Sequence, residues 1–137
     1  MPRTIRLTVF AFAALLLVAV AGCGDSKKTD KPVVTPPQLS GDIKLTIVPS
    51  GPKFNKSTAE AKEGTVKLTV NNPQDSGSKH GIGIDGGEYK NVEGQPVAPG
   101  RSTSLTVNLK PGKYEYYDPY KDFRKQGVTG TLTVTKK

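Results

Sequence analysis

The chain has 137 residues, with 20 Lys and Arg against 12 Asp and Glu, and only one His, one Cys and one Met. Such a set excludes an intramolecular disulfide, a Cys/His zinc site and a thiolate-held iron–sulfur cluster within one chain. The positive balance is spread over separate lysines instead of a basic run, and no nucleic-acid motif accompanies it, so nucleic acid is not an expected partner.

Residues 1–22 begin with Arg3 and Arg6, continue through an apolar run from Leu7 to Ala21, and end in Val20-Ala21-Gly22 before Cys23. This is the pattern of a signal peptide, and the apolar run is about three to five residues short of the ~20 that span a bilayer. The small residues before Cys23 resemble the bacterial lipobox. That resemblance implies that Cys23 is the lipidation site, that the mature chain works outside the cytoplasm, and that it is held to a membrane by acyl chains. Residues 23–41 then form the lipidated Cys and a polar, Pro-interrupted tether without periodicity, able to extend to about 60 Å.

Residues 42–137 are expected to make one domain with one core. Apolar residues alternate with polar ones in Ile43-Leu45-Ile47, Val66-Leu68-Val70, Ile82-Ile84, Leu105-Val107-Leu109 and Leu132-Val134. A period of two marks strands with one buried face. Turn signals fall between them at Pro49–Pro52, Glu63-Gly64, Asn72-Pro73, Asp85–Gly87, Ala98–Gly100 and Lys110–Gly112. Short strands at this spacing, with no convincing helical stretch, predict an all-β, antiparallel Greek-key sandwich.

The segment from Leu109 to Val134, with Pro111, Gly112, Tyr114, Tyr116, Gly127, Gly130 and Leu132, resembles the end of a cupredoxin. In that family a Tyr on a Pro-Gly turn is followed by an aromatic strand ending in Cys, then a His, a Met and a Gly-rich closing strand. At the ligand positions this chain has Asp118 for Cys, Phe123 for His and Val128 for Met. The upstream ligand has a counterpart in His80, after Asn71-Asn72-Pro73. The resemblance implies a cupredoxin-like sandwich in which these four positions meet, with Tyr114 as a tyrosine corner.

A type 1 copper centre takes two imidazoles, a thiolate and a weak axial donor such as Met. With Met1 in the signal peptide and Cys23 committed to lipid, the mature chain has no sulfur ligand, so this centre is excluded and no cofactor is expected. Two arrangements of the relic site follow. In one, Phe123 and Val128 fill the space with apolar bulk while Asp118 forms a charge-assisted hydrogen bond with His80. In the other, His80 and Asp118 hold copper or iron with further oxygens from Tyr117, Tyr120 or Asp122.

The one His has no recognisable Ser-His-Asp partners, and Asp118 with Asp122 lies in a basic loop, so the chain is not expected to be an enzyme. The expected role is a noncatalytic binding or interaction module of the cell envelope, acting on an envelope protein or ligand that the sequence does not name. Tyr120, Phe123 and Val128 are the expected interaction surface, because the family docks partners at the end that bears the ligand loop.

Overall fold

The computed structural model describes residues 36–137. The expected signal peptide, Cys23 and the first part of the tether lie outside the described residues. Eight strands follow in order: β1 (Gly41–Thr46), β2 (Thr58–Lys62), β3 (Gly64–Asn72), β4 (Gly83–Gly86), β5 (Tyr89–Glu93), β6 (Arg101–Leu109), β7 (Gly112–Tyr117) and β8 (Thr129–Thr135).

They form two sheets, β1-β3-β6 and β2-β8-β7-β4-β5. The all-β sandwich expected from the alternating pattern is what the chain builds, but its sheets are mixed. β1 runs parallel to β3 and β2 runs parallel to β8, whereas the remaining pairs are antiparallel. For β1 and β3 the reason is connectivity. After β1 the chain crosses to the other sheet for β2 and returns for β3, and strands joined by such a crossover pair in parallel.

The inward residues of both sheets meet in one core. Ile43, Leu45, Val66, Leu68, Val70, Val107 and Leu109 come from the first sheet, and Ile84, Tyr114, Tyr116, Leu132 and Val134 from the second. Val66, Leu68, Val70, Ile82, Ile84, Tyr116 and Leu132 have no exposed surface. Each such aliphatic side chain contributes roughly 1.5–3 kcal/mol relative to leaving it in water.

β2 and β5 were not marked by the alternation of the sequence. In β2, Ala59 and Ala61 are too small to read as a core face, although they pack against the core. In β5, Asn91 takes a left-handed φ of 51° and leaves only Tyr89 and Val92 half-buried.

β7 places the site. Tyr114 and Tyr116 point inward, and the Tyr114 hydroxyl donates to the Lys110 carbonyl at 2.9 Å, closing the expected tyrosine corner. The Tyr116 hydroxyl donates to the Lys56 carbonyl at 2.7 Å. Tyr116 lies in register with Gly130 of β8, where an added Cβ would fall within the phenol ring. Gly130 is therefore required by the close approach of an aromatic ring to the strand backbone. Glu115 and Tyr117 alternate to the outer face of the sheet.

Candidate functional site

His80 is placed by an isolated bridge to Val97: the His80 amide donates to the Val97 carbonyl at 3.1 Å, and the Val97 amide returns a bond at 2.9 Å. Asn72, at the end of β3, ties this region together. Its Nδ2 donates to the carbonyls of Ser78 and Val97, both at 2.9 Å. Its Oδ1 is the one buried side-chain polar atom without a partner among the described residues.

Asp118 follows directly from β7 and is fully buried, as His80 is at 1% exposure. Its Oδ2 lies 2.6 Å from His80 Nδ1. Its Oδ1 accepts from the amides of Gly81 at 3.0 Å and Tyr120 at 2.9 Å. The bond to the amide two residues on is the turn a short carboxylate side chain forms with its own backbone. One carboxylate thus joins two chain segments, residues 80–81 and 118–120, through three contacts, and the short one to the imidazole is of the charge-assisted kind.

From Lys121, at a left-handed φ of 52°, to Gly127 the chain makes successive turns, with the Gln126 amide donating to the Asp122 and Phe123 carbonyls, each at 3.0 Å. Gly127, at a left-handed φ of 89°, ends them. Val128 then donates its amide to the Phe123 carbonyl at 3.0 Å and accepts from the Asp118 amide at 3.0 Å. This closure lays the Phe123 ring on the His80 imidazole, with centroids 4.6 Å apart and planes 29° from parallel.

His80, Asp118, Phe123 and Val128 therefore form one connected cluster. Val128 departs from its expected place on an interaction surface: it has no exposed surface and belongs to the core. Its apolar side chain lies at the start of the closing strand, where the register of β8 turns it inward. Tyr120 and Phe123 are half-buried, so they retain accessible area.

The oxygens considered as additional metal ligands do not join His80. The Tyr117 hydroxyl points along the outer face to Glu93 Oε1 at 3.0 Å. Asp122 is exposed and accepts from Lys125 Nζ at 2.9 Å. Tyr120 contributes its backbone amide to the cluster, while its ring lies 6.4 Å from Phe123 and under Lys121 Nζ at 5.3 Å. Among the described residues no group of three or more His, Cys, Asp or Glu could hold a metal ion. The residues do not fit a type 1 copper centre either. A carboxylate, a phenyl ring and an isopropyl group stand with a single imidazole, whose Nδ1 is already bonded to the carboxylate.

A second cluster on the outer face centres on Arg124, which sequence reasoning did not single out. The register of β4 with β7 sets Asp85 directly opposite Glu115. Facing carboxylates repel across a strand pair. Arg124 resolves this by donating Nη2 to Asp85 at 2.8 Å and Nε to Glu115 at 2.7 Å. Nη1 donates to Asn91 at 2.7 Å, and the guanidinium lies over the Tyr117 ring at 3.9 Å. The hydrogen bond from Arg124 is the main influence holding Asp85 below the usual carboxylate range, and the bond to Asp85 in turn raises Arg124. Burial, followed by the bond to Glu93, pushes Tyr117 up to about 12. No sequence signal joins these residues, because their encounter depends on strand register.

No protein-family model and no curated protein matches the sequence. Solved structures do. Auracyanin B is 18% identical with a TM-score of 0.62, the match covering 74% of this chain and 93% of that one. Dithionite-reduced auracyanin from Roseiflexus castenholzii is 21% identical at a TM-score of 0.61, covering 72% and 99%. Rusticyanin from Thiobacillus ferrooxidans is 19% identical at 0.53, covering 72% and 79%. These are cupredoxins, and likeness at such identities establishes fold. The described domain has the cupredoxin fold, with Asp118, Phe123 and Val128 standing where the family resemblance expects copper ligands.

Proposed function

We propose that this chain is a membrane-anchored extracytoplasmic lipoprotein whose cupredoxin-like domain serves as a noncatalytic binding or interaction module of the cell envelope. One observation carries the noncatalytic part. The imidazole that would ligate a metal is occupied by the protein itself, through Asp118 at 2.6 Å and the stacked Phe123 ring. The contact surface is the loop end, with Pro119, Tyr120 and the accessible part of Phe123. The lipoprotein part rests on the sequence before Cys23.

Three measurements on protein isolated from its own membranes test this reading. Mass spectrometry is expected to find a diacylglyceryl group on an N-terminal Cys23, and an unmodified chain beginning elsewhere refutes the anchor. Crosslinking in native membranes is expected to give a defined product that Tyr120→Asp removes, and an unchanged product refutes the loop-end surface. Elemental analysis is expected to find neither copper nor iron in stoichiometric amount. Stoichiometric metal lost in His80→Ala would establish the alternative, a copper- or iron-handling protein.

A further inference from the structure

We propose that Arg124 is a latch that holds the loop of residues 118–128 closed over His80. This goes beyond the proposed interaction role and does not depend on it. Consecutive residues of the loop grip opposite sides of the sheet end. Phe123 covers the imidazole from within, and Arg124 reaches the outer face to join Asp85, Glu115, Asn91 and the Tyr117 ring. One peptide unit therefore links the cover to its fastening.

The fastening is built to be specific. Asp85 and Glu115 face each other across β4 and β7, so the sheet presents two carboxylates that need a cation between them. A planar guanidinium meets both and stacks on an aromatic face, which an ammonium does not reproduce. Tyr117 offers that face because its ring lies over Gly83, where a Cβ would collide with it. The neighbouring loop cation, Lys125, pairs only with exposed Asp122 within its own turn and fastens nothing to the sheet.

The fastening is also reversible. Arg124, Asp85 and Glu115 are 35%, 24% and 44% exposed, so water and salt reach the pairs. An open recess of about 240 Å³ between Glu93, Tyr117, Lys121, Asp122 and Arg124 adjoins them. Asp118 also borders this recess, but its side chain and that of His80 are 0% and 1% exposed. Loss of the latch therefore raises the local opening of the loop without unfolding the sandwich.

His80 is the only histidine, so its acylation by diethyl pyrocarbonate reports this opening without ambiguity. At neutral pH and low salt the wild-type domain is expected to react slowly. Arg124→Gln is expected to react about tenfold faster, and Asp85→Asn combined with Glu115→Gln to do the same, since both remove the multiple charge-assisted bonds. Lys125→Gln is expected to match wild type. Salt is expected to accelerate wild type but not Arg124→Gln. Amide exchange in β3 and β6 supplies the second measurement. In both proteins, an opening free energy from His80 acylation that lies below that of the core amides supports the latch, whereas equal values mean that His80 is reached only by global unfolding and overturn it. An Arg124→Gln variant as protected as wild type, or a Lys125→Gln variant as reactive as Arg124→Gln, also overturns it.

Discussion

The loop of residues 118–128 is held by two polar clusters a few residues apart, one sealed and one open to water. Within the sandwich end, Asp118 and His80 meet with essentially no exposure, and the carboxylate also accepts from the buried Gly81 amide and the part-buried Tyr120 amide. On the outer face, Arg124 gathers as many acceptors at pairs that solvent reaches. Bond counts and lengths are similar, but the consequences differ. Removing one member of a sealed pair leaves its partners with no water to turn to, whereas an exposed pair exchanges much of its attraction for hydration. The sealed cluster is therefore expected to carry stability and the open one to govern the position of the loop.

Asp118→Ala presses hardest on this contrast. It strands a buried imidazole and two backbone amides, and is expected to cost about 3–5 kcal/mol in urea unfolding. A loss below about 1 kcal/mol would show that water enters the cluster and that the two regions are not different in kind. Next, Phe123→Ala removes the ring that covers His80. Because Phe123 is only half-buried, its cost is expected at about 2 kcal/mol, below the range for a fully buried phenylalanine.

Glu115→Gln removes one of the Arg124 pairs and is expected to cost about 0.5–1 kcal/mol at low salt, a difference that disappears at high salt. A salt-independent loss of that size would place the outer cluster with the sealed one. The smallest effects concern pH. Since Arg124 lowers Asp85, the pairing is present throughout the ordinary carboxylate range and above it, and is lost as pH falls below that range. Tyr117 works in the opposite sense. Its folded value of about 12 lies above the usual 10.0, so its contribution is intact below pH 10 and is lost as pH rises towards 12. Absorbance titration is expected to find one phenol ionising about two pH units after an ordinary tyrosine. In Glu93→Gln that phenol should move down, although burial, the larger cause, should keep it raised.

The strands that supply two-sided contrast were legible in the sequence. Val66, Leu68 and Val70 alternate with polar residues, and all three are fully buried. The hidden strands were those whose core face is made by small or interrupted residues, Ala59 and Ala61 in β2 and the left-handed Asn91 in β5. The parallel pairings were not legible because alternation shows which face a strand buries, not which neighbour it takes. The sealed cluster could be anticipated because His80, Asp118, Phe123 and Val128 occupy positions the fold resemblance brings together. Of the two places expected for Val128, as apolar filling and on the interaction surface, the structure has the first, since position in a loop does not fix exposure. The Arg124 cluster was out of reach: Asp85 and Glu115 become neighbours only through the register of β4 on β7.

The parallel run of β1 beside β3 also fixes the end at which the described chain enters the sandwich. Gly41 lies beside Val66, whereas Asn72, which braces the His80 region, is at the far end of the same strand. Six residues of extended chain separate these levels by about 20 Å. β2 and β8 likewise finish at the end where Gly41 begins. The described chain therefore enters the domain at the end opposite the pole that bears Tyr120 and Phe123, which leaves that pole clear of the entering segment.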